Sequence, residues 1–263
     1  MSDITVVQTD GGTLGDTIAS FPAIAERCAR DPSRTVRVWF ANSAASKLFK
    51  VPLNAVVLAD MPDRFDFKLS ASDAYRWHKQ CHMTQAYYIG LSLVPPLHPP
   101  LPDLGIHWDE YPESREYDFI VSPFSNTDIN GNKKWPMGRW RRALEFLRKR
   151  GRTLVIGTPS DAADWVALGE VRGVDRLSGA PLPDVMRHIA NCRMVISIDN
   201  GISHVTAAIG GPHFLLYPAV LPICWVSNPN ANAHHLHVDP RSLRAEDFLT
   251  PLYRALTTLR NPT

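Results

Sequence analysis

At 263 residues, with 44% hydrophobic and 21% charged side chains and a formal charge of +2, the chain has the make-up of a globular protein, with enough apolar material for one large domain or two of ordinary size. That composition excludes a disordered chain, and the near-balance of acidic and basic residues without a long basic block argues against a nucleic-acid partner. Four scattered cysteines, Cys28, Cys81, Cys192 and Cys224, form no C-x-x-C pair; with no N-terminal apolar signal segment they read as reduced thiols of a cytoplasmic protein.

Ile4 to Gln8 predicts a strand, followed by the loop Thr9-Asp10-Gly11-Gly12-Thr13-Leu14-Gly15-Asp16 and a helix with Ile18, Phe21, Ile24 and Ala25 among its apolar positions. Strand, glycine-rich loop and helix start make a ligand-facing turn, because the N–H groups of a first helical turn lack intrahelical partners. No Gly-Lys-Ser/Thr follows, so this is not a P-loop, and the full G-x-G-x-x-G spacing is missing. For Asp16 alone, interaction with the helix dipole is the plain reading and a reactive carboxylate the sharper one. Val36 to Ala41 predicts a second strand, Ser43 to Phe49 a short helix and Ala55 to Leu58 a third strand. The helical stretch from Asp73 to Leu93 carries His78 and His82 one turn apart, but no third metal ligand lies at a recognisable spacing. His234, His235 and His237 read as a solvated loop or strand edge.

The run Val94-Pro95-Pro96-Leu97-His98-Pro99-Pro100-Leu101-Pro102 suits neither helix nor central strand and marks a domain boundary. The expected division is a first domain over 1–110, a second over 111–244 and a C-terminal helix within 245–263. In the second half, Tyr117 to Ser122 predicts a strand, Pro123 to Lys134 a polar loop with an Asn130-Gly131 turn, and Trp140 to Lys149 a helix. Thr153 to Ile156 is a strand ending in Gly157-Thr158-Pro159-Ser160-Asp161, with helices at Ala162 to Leu168 and Asp184 to Ala190. This alternation predicts a doubly wound α/β domain.

Met194 to Ile198 is a β-branched run suited to a strand buried on both faces. Asp199, Asn200 and Gly201 supply turn and N-cap chemistry, Ile202, Val205, Ala208 and Ile209 recur at helical spacing, and Gly210 and Gly211 stop the helix before the strand at His213 to Tyr217. Open α/β sheets receive ligands at the carboxyl ends of their strands, so an anion, most naturally a phosphate, is the expected guest. The plain alternative has Asp199 capping the helix and His204 packed. The late apolar run from Phe214 to Val226 is broken by Pro218 and Pro222 and falls short of the roughly 20 residues of a membrane span, which leaves docking on a membrane surface open.

Several features in this order resemble one family: Gly15-Asp16 with Phe21-Pro22-Ala23-Ile24, Lys133-Lys134-Trp135-Pro136 with Trp140, Leu177-Ser178-Gly179 before a helix to Asn191, and Asp199-Asn200-Gly201-Ile202-Ser203-His204. They are similar to the runs Gly-Asp…Leu-Pro-Ala-Leu, Lys-x-Trp-Pro…Trp and Asp-Thr/Ser-Gly-x-x-His of the ADP-heptose:lipopolysaccharide heptosyltransferases, glycosyltransferase family 9. The resemblance implies an α/β GT-B fold, two Rossmann-like domains facing a cleft, with the N-terminal domain shortened here and the C-terminal helix crossing back to it. It implies inverting, metal-independent transfer of a sugar from a nucleotide sugar, an ADP-sugar by default, to a glycan or glycolipid acceptor. No cofactor is implied, and the location is the cytoplasm with room for peripheral contact with the inner membrane surface.

By the same resemblance Asp16 is the base. Lys133, His204 and N–H groups around Gly201 receive the diphosphate, with Asn200 among the donor-binding residues. Asp199 orients the turn or binds a donor hydroxyl, Asp161 contacts the ribose, and Gly12, Thr13 and Gly15 form a loop near the donor phosphate. Lys134 is placed as well as Lys133 to meet a phosphate, and Trp135 and Trp140 read as packing residues. Two further readings stay open: a non-catalytic nucleotide- or glycan-binding module of the same fold, and a sugar-nucleotide epimerase.

Overall fold

The computed structural model describes residues 3–8, 13–70, 73, 76, 81–98, 100–108, 115–126, 133–219 and 232–258. Among these, one compact unit comprises the residues up to Gly105 and a second those from Ile106.

In the first unit, β1 (Ile4–Gln8), β2 (Val36–Phe40), β3 (Ala55–Val57) and β4 (Phe67–Leu69) form a four-stranded sheet in the order β3-β2-β1-β4. All pairs are parallel, with Val6 opposite both Val38 and Phe67. Helices α1 (Leu14–Arg30), α2 (Ser43–Ser46) and α3 (Met83–Gly90) accompany it. The apolar face of α1 is buried, and Phe21, Phe40 and Phe49 meet with ring centroids 5.1 to 5.6 Å apart. Strand β4 was not anticipated, since three residues are too few to show an alternation.

The histidine pair is corrected here. His82 does not continue a helix; it caps α3, its Nδ1 accepting the Thr84 N–H at 3.2 Å while Gln85 accepts the His82 N–H at 2.8 Å. A capping box starts the helix at Met83, and His78 lies outside the described residues.

The second unit holds β5 (Phe119–Ser122), β6 (Thr153–Gly157), β7 (Val174–Ser178), β8 (Met194–Ile198), β9 (His213–Pro218) and β10 (Ala233–Val238). Its six-stranded sheet has the order β10-β9-β8-β5-β6-β7, parallel throughout. The chain starts in the middle, winds outward on one side, then returns to wind outward on the other. This is the dinucleotide-fold order, whose direction reverses between β5 and β8. Both of these strands are fully buried, which explains their uninterrupted apolar reading. Edge strand β7, Val-Asp-Arg-Leu-Ser, is mostly exposed and shows no apolar pattern. The three histidines of the 233–238 segment sit on the other edge strand, β10.

Helices α4 (Met137–Leu147), α5 (Ala162–Leu168), α6 (Leu182–Asn191), α7 (Gly201–Ile209) and α8 (Ala245–Thr258) complete the unit. Helix α8 seats Phe248 against Trp135, Trp140 and Phe214 with ring centroids 4.5, 5.7 and 5.4 Å away. Leu252, Ala255 and Leu256 join the same core. The smaller first sheet agrees with the shortened N-terminal domain expected from the sequence. No helix among the described residues is long and apolar enough to cross a membrane.

Candidate functional site

Where β5 and β8 lie side by side, their outgoing segments diverge, and a doubly wound sheet opens a crevice there. Ser122 ends β5 and Ile198 ends β8, in adjacent register. Asp199 and Asn200 follow β8 directly, and α7 begins at Gly201.

The helix cap is Asn200, not Asp199. Asn200 Oδ1 accepts the N–H groups of Ile202 at 3.0 Å and Ser203 at 3.2 Å. Its Nδ2 donates to Ser122 Oγ at 2.9 Å, the Ser122 carbonyl at 3.3 Å and the Phe124 carbonyl at 2.8 Å. Two of the first-turn N–H groups of α7 are therefore taken by the protein's own cap. The Asp199 carboxylate turns instead to Lys133, Oδ2 to Nζ 2.7 Å, with only 8% of the aspartate and 12% of the lysine side chain exposed. An ion pair so little hydrated fixes the Lys133 ammonium beside the start of α7, its charge balanced by the Asp199 carboxylate until an anion arrives.

The neighbouring lysine is used differently. Lys134 Nζ pairs with Asp164 Oδ2 at 2.9 Å on α5, so of two adjacent lysines Lys133 alone meets Asp199. Trp135 is fully buried and donates from Nε1 to the Leu243 carbonyl at 2.9 Å, which anchors the segment that delivers Lys133. Both tryptophans are packing residues, as the sequence suggested.

His204 is half-buried in the first turn of α7. On β9, His213 is fully buried, with Nε2 2.8 Å from Ser197 Oγ. Burial, then the neighbouring His235 and His204, push the His213 pKa down to about 3, so its ring is neutral at physiological pH. Sequence reading missed this pair. The available signals were one serine within an otherwise apolar strand and a histidine opening the next.

Asp161 lies after β6, where its Oδ2 accepts the Thr158 N–H and the Thr158 hydroxyl, both at 2.7 Å. The carboxylate is buried and closes a capping box. Two exposed hydroxyls lie beside it: Ser160 Oγ is 2.6 Å from Thr158 Oγ1 and accepts from Asn126 Nδ2 at 3.0 Å.

Asp16 belongs to the first unit. It is buried in the opening turn of α1, where Thr13 Oγ1 donates to Asp16 Oδ2 at 2.7 Å and accepts the Asp16 N–H at 3.1 Å. Gly15 is buried beside it, and Gly12 lies outside the described residues. The structure thus brings Lys133, Asp199, Asn200 and Gly201 together, with His204 on the same helix. Among the described residues no group of three or more His, Cys, Asp or Glu side chains is arranged to hold a metal ion.

The family model described as glycosyltransferase family 9 (heptosyltransferase) matches residues 93–240. Over 97 residues the chain is 32% identical to lipopolysaccharide heptosyltransferase 1 of Salmonella typhimurium, a match covering 36% of this chain and 31% of that relative. The chain therefore spans less than a third of the length of the curated relatives it matches. The structure of ADP-heptose lipopolysaccharide heptosyltransferase II from Escherichia coli superposes with a TM-score of 0.74 at 15% identity, over 98% of this chain and 100% of that one. An Escherichia coli heptosyltransferase solved with ADP gives 0.68 at 16% identity, over 96% and 99%. At these identities the structural likeness establishes the fold: α/β, with two Rossmann-like units.

Proposed function

The chain belongs to glycosyltransferase family 9, and from that premise we propose that it is a metal-independent, inverting glycosyltransferase acting in the cytoplasm. It moves a heptose-like sugar from a nucleoside-diphosphate sugar, with adenine as the default base, to a hydroxyl of a glycan or glycolipid. The acceptor is presented at the inner membrane surface. The observation that carries this reading is the buried Lys133–Asp199 pair beside the Asn200-capped start of α7, at the sheet's switch point.

A departing nucleoside diphosphate gathers negative charge, and a catalyst must meet it with donors already in position. Lys133 supplies a fixed cation, His204 a side-chain donor, and the N-terminus of α7 its positive dipole end. Asp199 holds the Lys133 ammonium in place through the ion pair. Together these groups take the part of a divalent cation. On the acceptor side a sugar hydroxyl is a poor nucleophile until its proton is removed, and Asp16 is the carboxylate for that task. The hydroxyl oxygen then bonds to the anomeric carbon as the carbon–oxygen bond to the diphosphate breaks on the opposite face, which inverts the configuration. The proton rests on Asp16 and the electron pair leaves with the nucleotide. Asp161 holds Thr158, whose hydroxyl meets that of Ser160, and through these two residues it gives the donor's ribose a polar surface. Support for an ADP-sugar comes from the solved relative whose bound nucleotide is ADP.

Calorimetric titration of ADP, UDP, GDP and CDP without added metal tests this reading on the wild type and on Lys133→Gln. The glutamine keeps an N–H for Asp199. One selective nucleotide should bind the wild type and weaken by about tenfold to a hundredfold in the variant, the range for a lost charged hydrogen bond. Binding of none of the four, or equal binding by the variant, overturns the donor site.

A further inference from the structure

Asn200 stands between the two halves of the proposed donor site, and every hydrogen-bonding group of its side chain is already engaged by the protein. Oδ1 takes two N–H groups of α7, and Nδ2 reaches the Ser122 hydroxyl and the carbonyls of Ser122 and Phe124. A primary amide has two N–H bonds and two lone pairs, so this partner set saturates it. Capping alone needs only the acceptor side, which serine provides about as well. The donor side does something a cap does not: it reaches 76 to 78 residues back along the chain and ties the segment leaving β5 to the start of α7.

The adjacent residue makes a matching tie. Asp199 holds Lys133, which lies on the same β5–α4 connection that Asn200 holds at Ser122 and Phe124. Consecutive residues thus grip the connection near its beginning and near its end. We propose that Asn200 is a positioning residue for the donor site rather than a donor ligand. By fixing the Ser122–Phe124 segment to the first turn of α7 it sets the separation between the Lys133 ammonium and the helix N-terminus. Because a diphosphate is met by both, an error in that separation weakens binding without removing any group that touches the ligand. This rests on the donor-site reading above, and its test has one arm that does not.

Asn200→Ser keeps the cap and removes the ties. In the ligand-free protein, hydrogen exchange of the 122–126 amides should quicken by at least about tenfold, while the amides of α7 keep their protection. ADP affinity should fall by about tenfold. In the Lys133→Gln background the same substitution should change ADP affinity by less than about twofold, since its effect acts through the geometry of Lys133. Unchanged exchange at 122–126, or a loss of ADP affinity that multiplies independently with that of Lys133→Gln, overturns the proposal. If the wild type bound no nucleoside diphosphate, the donor reading would fall and the exchange arm alone would decide the tie.

Discussion

Asp16 and Lys133 are both buried charged groups with a defined partner, and the proposed chemistry asks different things of them. Asp16 must accept a proton, and the Thr13 hydroxyl donates to its Oδ2 at 2.7 Å. Asp16→Asn preserves shape while removing the basic oxygen. Turnover should fall by about a hundredfold to ten-thousandfold, with ADP affinity within about twofold of wild type; steady-state kinetics beside calorimetry separates the two. Unchanged turnover removes Asp16 from the mechanism. Lys133 must meet the diphosphate with its ammonium in a fixed place, and the Asp199 carboxylate holds it there at 2.7 Å. How much of this was legible varies with distance along the chain. Asp16 and Thr13 are three residues apart, so their capping relation is a local matter. Lys133 and Lys134 are equivalent in sequence, and only the position of Asp199 against one and of Asp164 against the other tells them apart.

Strands β9 and β10 carry a pH dependence that follows from burial. His213 titrates at about 3 in the folded protein against an ordinary 6.5. As pH falls below about 6.5 the unfolded chain takes up a proton that the folded chain refuses, so folding stability is complete above that pH and declines towards pH 3. Between pH 7 and 5 the loss from His213 is about 2 kcal/mol. His235, lowered in the same direction by its own burial and by His234, adds to it. Urea unfolding at the two pH values, on the wild type and on His213→Gln, checks this: the wild type should lose stability on acidification and the variant clearly less. Equal losses would assign the pH dependence elsewhere. The strand at His213 to Tyr217 was visible from its apolar run, whereas Ala233 to Val238 was read only as a loop or edge. Its strand character depends on pairing with β9, and nothing in its own alternation announces that partner.

The second unit links its C-terminal helix to the candidate site through one aromatic cluster. Phe248 on α8 packs on Trp135, two positions after Lys133, and on Trp140 of α4. Phe248→Ala should cost about 3 to 5 kcal/mol, the range for an emptied aromatic core position. By loosening Trp135 it should also weaken ADP binding, although residue 248 belongs to the last helix. Chemical unfolding together with nucleotide titration measures both effects; a stability loss with unchanged affinity would show that Trp135 holds Lys133 without help from α8.

Alternating strand and helix signals, the glycine and asparagine turn chemistry and the charged residues at strand ends were all readable along the chain, because each depends on neighbours within a few positions. They sufficed for an α/β reading of strand and helix in alternation, while the family and its two Rossmann-like units came from the resemblance of the short motif runs. The order of the strands could not be read this way. The switch point exists because β8 returns to lie beside β5 rather than beyond β7, and that choice brings Asn200 to Ser122 and Asp199 to Lys133. Contacts between distant segments arise from burying whole faces together, an energy shared over many side chains and written in no single stretch. Hence the sequence named Asp199 and Asn200 as members of a site, and the packed sheet decided that one caps the helix while the other holds the lysine.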